Sequence, residues 1–177
     1  NVYETDAFRP IIEHVEELSG KEWGNDTETD RSIRVVAEHA RSASFLIGDG
    51  VIPGNSGRGY VLRRLIRRGM LFGRELGVDT PMLSELSKTV SEHMGHAYPE
   101  LVGNFEFIEY VLEKEEISFS KTLEFGAQVL AGMIDYRGAN PDAAEQVKAG
   151  KKLKAPLGDD AKAVGISQAI SEIERLV

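Results

Sequence analysis

The sequence contains no cysteine, which excludes disulfides, thiolate zinc sites and cysteine nucleophiles. Four histidines leave little material for a multi-histidine metal centre, and aromatic residues make up only 7% of the 177 residues. No apolar run approaches the roughly 20 residues of a membrane-spanning helix, so no membrane partner is expected. The chain starts at Asn1 and has no basic-then-apolar leader, which predicts a fragment of a longer protein rather than a secreted chain.

Charge is distributed unevenly along a chain whose net charge is −8. The segment from Arg31 to Arg74 holds nine arginines, no lysine and only two acidic residues, Glu38 and Asp49, which gives it a local net charge of +7. A cationic region on an acidic protein is typical of a polyanion binder, and planar guanidinium groups favour forked donation to phosphate. The alternative is that these arginines pair with the surplus carboxylates inside the fold.

Apolar residues recur at helical spacing almost throughout, and alternating strand patterns are nearly absent, so we predict an all-α fold. The expected helices are one capped by Thr5–Asp6 and ended by Gly20, a second from Ile33 to Ile47, a third from Val61 closed by Gly77, a fourth over 79–95, and a long fifth introduced by Pro99 and reaching Ile134. We expect a helical bundle over 1–136, an irregular lysine-containing insertion over 137–158, and a C-terminal helix over 159–177 that packs back on the bundle.

A glycine-rich loop precedes the arginine-rich third helix. Five glycines and a proline fall between Gly48 and Gly59, which predicts a tight, shaped loop with Asn55 and Ser56 at its crest. On the helix, arginines lie one turn apart in two neighbouring rows: Arg63 with Arg67, and Arg64 with Arg68.

Such a loop and helix could make different kinds of contact with an RNA duplex. An Asn amide offers a donor and an acceptor, and the wide minor groove of double-stranded RNA exposes base edges to a loop tip. The arginines would bind phosphates, so base recognition and affinity would be separated. The simpler alternative is that Asn55 or Ser56 only caps the third helix, and one residue could serve both purposes.

Other candidate sites are weaker. Gly57-Arg58-Gly59-Tyr60 follows a helix and lacks the Gly-Lys-Ser/Thr ending of a P-loop. His93 and His96 lie three residues apart without further ligands, and His39 beside the second helix's apolar stripe is expected to be a packed or hydrogen-bonded core histidine. Three glutamates, Glu113, Glu115 and Glu116, are expected to form a solvated helix face. We predict neither a catalytic centre nor a metal site.

Three stretches of the chain resemble the alanyl-tRNA synthetase family. The longest and nearly gapless one, residues 31–77, includes Phe45-Leu-Ile-Gly-Asp-Gly50 and Arg58-Gly-Tyr-Val-Leu-Arg-Arg-Leu-Ile-Arg-Arg68. The opening Asn1-Val-Tyr-Glu-Thr-Asp-Ala-Phe8 is similar to the segment directly after the family's third class II motif, and Phe105 to Gly126 resembles its later helical stretch.

The resemblance implies a parent enzyme that activates alanine with ATP and Mg and transfers it to tRNA in the cytoplasm. It places the chain in the helical tRNA-recognition region between the catalytic and editing domains, with the tRNA acceptor stem and its G·U pair as partner. Asn55 matches the loop residue that contacts this pair, where an acceptor suits the guanine 2-amino group. The implied RNA-binding residues are Asn55, Ser56, Arg58, Arg63, Arg64, Arg67 and Arg68.

The chain also departs from that family. The class II motifs that bind ATP and alanine are absent, so we expect no aminoacylation by this chain alone and no cofactor in it. The family's Leu-Tyr-Asp-Thr-Tyr-Gly-Phe-Pro segment, which carries a second acidic contact to the wobble pair, is absent too. Two alternatives of another class remain: a helical protein-interaction module that binds an acidic partner, and a helix-turn-helix DNA binder.

Overall fold

The structure, a computed structural model, describes residues 2–78 and 81–139, and in these ranges every regular element is helical, which confirms the all-α fold. A 3₁₀ turn at Val2–Glu4 is followed by α1 (Arg9–Ser19), α2 (Thr27–Gly48), α3 (Gly57–Glu75), α4 (Met82–Met94), α5 (Pro99–Gly103) and α6 (Phe105–Ala139). The chain forms two compact units that divide between Phe119 and Ser120. None of the described helices has both the length and the apolar character needed to cross a bilayer.

The predicted insertion and C-terminal helix lie outside the described residues, except that 137–139 belong to α6. The domain boundaries therefore stay a prediction.

The first two helices begin at other residues than the sequence predicts. The Thr5 hydroxyl donates to the Val2 carbonyl at 2.6 Å, so Thr5 belongs to the preceding turn and α1 starts later, at Arg9. Helix α2 starts earlier, at Thr27, because the Asp26 carboxylate accepts the backbone N–H groups of Glu28 and Thr29 at 2.9 and 3.1 Å. Side-chain caps of this kind satisfy N–H groups that lack helical partners.

The long helix predicted from Pro99 onward is interrupted at Asn104. Helix α5 ends at Gly103, and Asn104 has φ −107° and ψ 12°, outside the helical region. Its side-chain amide donates to the Gly48 carbonyl at 3.0 Å, which satisfies an oxygen at the end of α2. The prediction of one continuous helix was wrong because this long-range hydrogen bond holds Asn104 out of the helix.

Helix α2 lies at the centre of the first unit and contacts α1, α3, α4 and α5. Its inward positions include three alanines, Ala37, Ala40 and Ala43, all without solvent exposure. Small side chains let neighbouring helices approach closely. Larger core residues come from α2 itself, such as Ile33 and Ile47, and from its neighbours, among them Ile12, Leu62, Ile66, Leu83, Leu86 and Leu101.

The expected solvated face of α6 is wrong for two of its three glutamates. Glu113 is exposed, but Glu115 and Glu116 are only 8% and 1% exposed. Helix α4 follows Pro81 and has no side-chain cap of its own. The Glu116 carboxylate takes that place, accepting the N–H groups of Leu83 and Ser84 at 2.9 and 3.0 Å. The unpaired donors and partial positive charge of the helix N-terminus offset part of the free-energy cost of burying this carboxylate.

Stability should depend on pH through Glu116. Burial raises its pKa from 4.5 to about 7, against the opposing effect of the hydrogen bonds from Leu83 and Ser84. Because the folded chain then binds this proton more tightly than the unfolded chain, the carboxyl group's contribution to stability is complete below pH 4.5. It is lost as pH rises to about 7, by up to roughly 3 kcal/mol.

We expect Glu116→Gln to flatten the dependence of the unfolding free energy on pH between about 4.5 and 7, as measured by urea denaturation. Glu113→Gln, a change at an exposed position of the same helix, is the matched control and should leave the slope intact. Equal slopes for the wild type and Glu116→Gln would show that this carboxyl group does not have the raised pKa.

Candidate nucleic-acid interface

The glycine-rich loop folds back on the first turn of α3. The Gly54 N–H donates to the Gly59 carbonyl at 2.9 Å. A Cβ atom added to Gly59 would lie 2.6 Å from the Ile52 carbonyl oxygen and 3.0 Å from the Gly54 nitrogen. Gly57 has φ +56°, a left-handed conformation that glycine adopts without steric cost. In the first turn of α3, Gly59 is therefore required by the close approach of the loop backbone, and Gly57 by its backbone angle.

The crest of this loop, Asn55 and Ser56, is exposed to solvent. Ser56 occupies the N-cap position of α3 with an extended backbone, yet its side chain makes no capping hydrogen bond. The Asn55 side-chain oxygen accepts instead from Nη1 of Arg63, two turns into the helix. Ser56 therefore takes the cap position without the side-chain cap, and the Asn55 amide is held by an arginine.

The five arginines of the predicted interface separate into two groups. Arg58, Arg64 and Arg68 are exposed, and none of them lies within 4.0 Å of a carboxylate of the described residues. Arg63 and Arg67 are half-buried, with side chains 24% and 17% exposed, and both meet Glu115. The loop crest and these exposed arginines lie in one stretch of the chain, residues 55–68, where an amide and three guanidinium groups are accessible to solvent.

Glu115 explains why two of the arginines are drawn inward. Its Oε1 accepts from Nε of Arg67 at 3.0 Å and lies 3.2 Å from Nε of Arg63, whose N–H does not point along that line. The Arg67 guanidinium also lies over the Phe119 ring, 4.9 Å from its centroid. The alternative of internal carboxylate pairing thus holds for Arg63 and Arg67 and not for the other three.

Several arginines earlier in the cationic segment stack on aromatic rings. Arg34 lies 5.7 Å and 5.9 Å from the ring centroids of Tyr3 and Trp23. Arg41 lies 4.9 Å and 5.6 Å from those of Phe8 and Phe45. These contacts could not be predicted from the sequence, since the arginines and most of the rings come from separate elements. The stacking holds the side chains in place without neutralising their charge.

Within the described residues, the histidines do not form part of a metal-ligand cluster. Burial, and next the charge of Arg68, lower the pKa of His39, and its buried Nε2 has no hydrogen-bond partner among the described residues. His39 is therefore a packed histidine whose Nε2 makes no hydrogen bond within the described residues. His93 and His96 are exposed. Within residues 2–78 and 81–139, no three His, Asp or Glu side chains come together as metal ligands.

Comparison with known proteins assigns the chain to a family. The family model described as class II (A) tRNA synthetases matches residues 1–147. The chain belongs to the class II tRNA synthetases. Among the relatives of this synthetase chain, the alanine–tRNA ligase of Desulfosudis oleivorans is 50% identical over 137 residues, which are 77% of the chain and 16% of the relative.

Two further alanine–tRNA ligases show similar agreement with the synthetase chain. That of Dehalococcoides mccartyi is 48% identical over 134 residues, 76% of the chain and 15% of the relative. That of Streptococcus mutans is 45% identical over 144 residues, 81% of the chain and 16% of the relative. The chain therefore spans about a sixth of the length of the curated relatives that it matches.

Replacing Gly59 should damage the loop. The first turn of a helix would ordinarily gain from alanine, but in Gly59→Ala the new Cβ would meet backbone atoms that cannot rotate away. We expect a loss of about 1–3 kcal/mol in thermal or urea unfolding. Gly126→Ala in α6, where no atom lies within 4 Å of the added Cβ, is the control and should be neutral or gain about 0.5–1 kcal/mol. Equal effects of the two changes would contradict the close approach of the loop to α3.

Proposed function

We propose that this chain is the part of an alanine–tRNA ligase that recognises the tRNA acceptor stem, in the helical region between the catalytic and editing domains. The observation that carries the proposal is the exposed Asn55 crest beside the exposed Arg58, Arg64 and Arg68. The family membership and the alanine–tRNA ligase relatives support tRNA as the polyanion and do not favour an acidic protein partner.

The two parts of the surface would make different kinds of contact. Arg64 and Arg68 lie one turn apart on α3 and are spaced to contact neighbouring phosphates of a duplex. Asn55 lies at the loop crest, where a minor groove as shallow as that of RNA admits a side-chain amide. Phosphate contacts position the duplex and the amide contacts base edges, so affinity and base preference would depend on separate residues.

The remaining chemistry would belong to the parent enzyme. We propose that the parent activates alanine with ATP and Mg and acts in the cytoplasm, and that this chain contributes tRNA recognition and no catalytic residue. The relatives are alanine–tRNA ligases several times longer than the chain. Their additional length is room for the catalytic and editing domains with which this chain would act.

Base preference tests the amide. We expect the chain to bind a hairpin RNA with a G·U pair in its stem more tightly than one with a G·C pair at that position. Asn55→Ala should reduce this preference by roughly fivefold or more. Fluorescence anisotropy titrations with the two hairpins measure it. Asn25→Ala, the same change at an exposed asparagine outside the loop and α3, is the matched control and should leave the preference unchanged. A preference that survives in Asn55→Ala would refute the assignment of this residue to base recognition.

Salt dependence tests the arginines. We expect Arg64→Ala to weaken binding of both hairpins by the same factor and to reduce the slope of log affinity against log salt by about 0.7–0.9. Arg9→Ala removes an exposed arginine on α1, outside the loop and α3, and should leave the slope unchanged. A loss confined to one hairpin would assign Arg64 to base recognition instead of phosphate binding.

A further inference from the structure

Arg63 differs from the exposed arginines around it because its guanidinium group contacts oxygen atoms of the protein. Nη1 donates to the Asn55 side-chain oxygen, Nη2 donates to the Pro53 carbonyl at 3.4 Å, and Nε lies 3.2 Å from Oε1 of Glu115. Two of its three nitrogens thus donate to oxygens of the loop, and the third lies within ion-pair distance of a carboxylate without donating to it. Arg64, the next residue, is exposed and has no such partner among the described residues.

The contact with Arg63 fixes which end of the Asn55 amide points outward. A guanidinium group has donors and no acceptor, so only the amide oxygen of Asn55 can face it. The NH₂ group must then lie on the other side, toward solvent, with one further lone pair left on the oxygen. Without Arg63, the two ends of the amide would be free to exchange places by rotation about the last side-chain bond.

Glu115 in turn holds Arg63 in place. Its carboxylate is 9% exposed and receives two half-buried arginines, one of which, Arg67, is further held by the Phe119 ring. Arg63 also contacts the loop twice, at the Asn55 crest and at the Pro53 carbonyl. The chain of contacts from α6 to the loop crest therefore runs from Glu115 through Arg63 to Asn55.

From this geometry, and resting on the proposed function, we infer that Arg63 is a positioning residue that holds the Asn55 amide in one orientation for the RNA, with one oxygen lone pair left for the guanine 2-amino group, rather than a phosphate ligand. A lysine at this position keeps the charge but cannot donate from two separate nitrogens at fixed angles, as Arg63 does. Arg63→Lys therefore separates the effect of charge from that of positioning, and it leaves a cation for Glu115.

The binding experiment compares Arg63→Lys with the wild type and with Arg64→Lys, the same change at the neighbouring exposed position. The probes are the two hairpin RNAs that differ only in a G·U or a G·C pair. We expect Arg63→Lys to reduce the preference for the G·U hairpin over the G·C hairpin by about fivefold and to leave the slope of log affinity against log salt unchanged. Arg64→Lys should change neither the preference nor the slope. In the double variant Asn55→Ala/Arg63→Lys, no further preference should be lost. Preserved preference in Arg63→Lys would overturn the inference.

A second measurement needs no RNA and shows whether a failure belongs to this inference or to the proposed function. In the ¹⁵N spectrum of the free chain, we expect the Asn55 side-chain NH₂ signal to show restricted motion in the wild type and in Arg64→Lys, and free motion in Arg63→Lys. An equally mobile amide in the wild type and Arg63→Lys would overturn the positioning role. A wild type that binds neither hairpin, or both equally, would refute the proposed function, while the amide signal would still decide the role of Arg63.

Discussion

The arrangement of the cationic surface depends on one nearly buried carboxylate. Glu115 reaches from α6 to the arginines of α3 and takes up two of them, Arg63 and Arg67. Leaving two half-buried guanidinium groups without an anion would cost far more than an exposed ion pair contributes, so this carboxylate constrains both helices. The cluster of Glu115, Arg63 and Arg67 contains one negative and two positive charges, so a net positive charge remains beside the loop.

Adjacent residues of α6 organise two different helices. Glu115 faces α3, while Glu116, about 100° further around the helix, accepts the first N–H groups of α4. Two residues in one turn of α6 thus pair with Arg63 and Arg67 of α3 and accept the free N–H groups at the start of α4, which has no side-chain cap of its own. Asn104, just before α6, does the same for the end of α2 through the Gly48 carbonyl. The polar groups that connect these elements lie in a short stretch of sequence, although their partners are distant in the chain.

The helices and the cationic row could be predicted from the sequence because they follow from local spacing. Apolar periodicity located the core of α2 and α3, and the spacing of Arg64 and Arg68 predicted two arginines on a common face, both of which are exposed. The burial of Glu115 and Glu116 could not be predicted, since a charged stretch on a long helix has the same pattern whether its partners are water, arginines or a helix N-terminus. The break at Asn104 and the contact of Arg63 with Asn55 likewise depend on tertiary neighbours.

The acidic composition of the chain is compatible with a cationic surface because of how the arginines are held. Five of the nine arginines between Arg31 and Arg74 lie over aromatic rings, namely Arg31, Arg34, Arg41, Arg67 and Arg68. Arg31 and Arg67 also pair with Glu28 and Glu115, whereas the other three have no carboxylate of the described residues within 4.0 Å. A carboxylate that orders a guanidinium cancels its charge, whereas a ring attracts it through the quadrupole and leaves the charge in place. Phe72 shows this for Arg68, whose guanidinium lies 5.5 Å from the ring centroid. Aromatic stacking thus orders the cationic segment while preserving the field that attracts a polyanion.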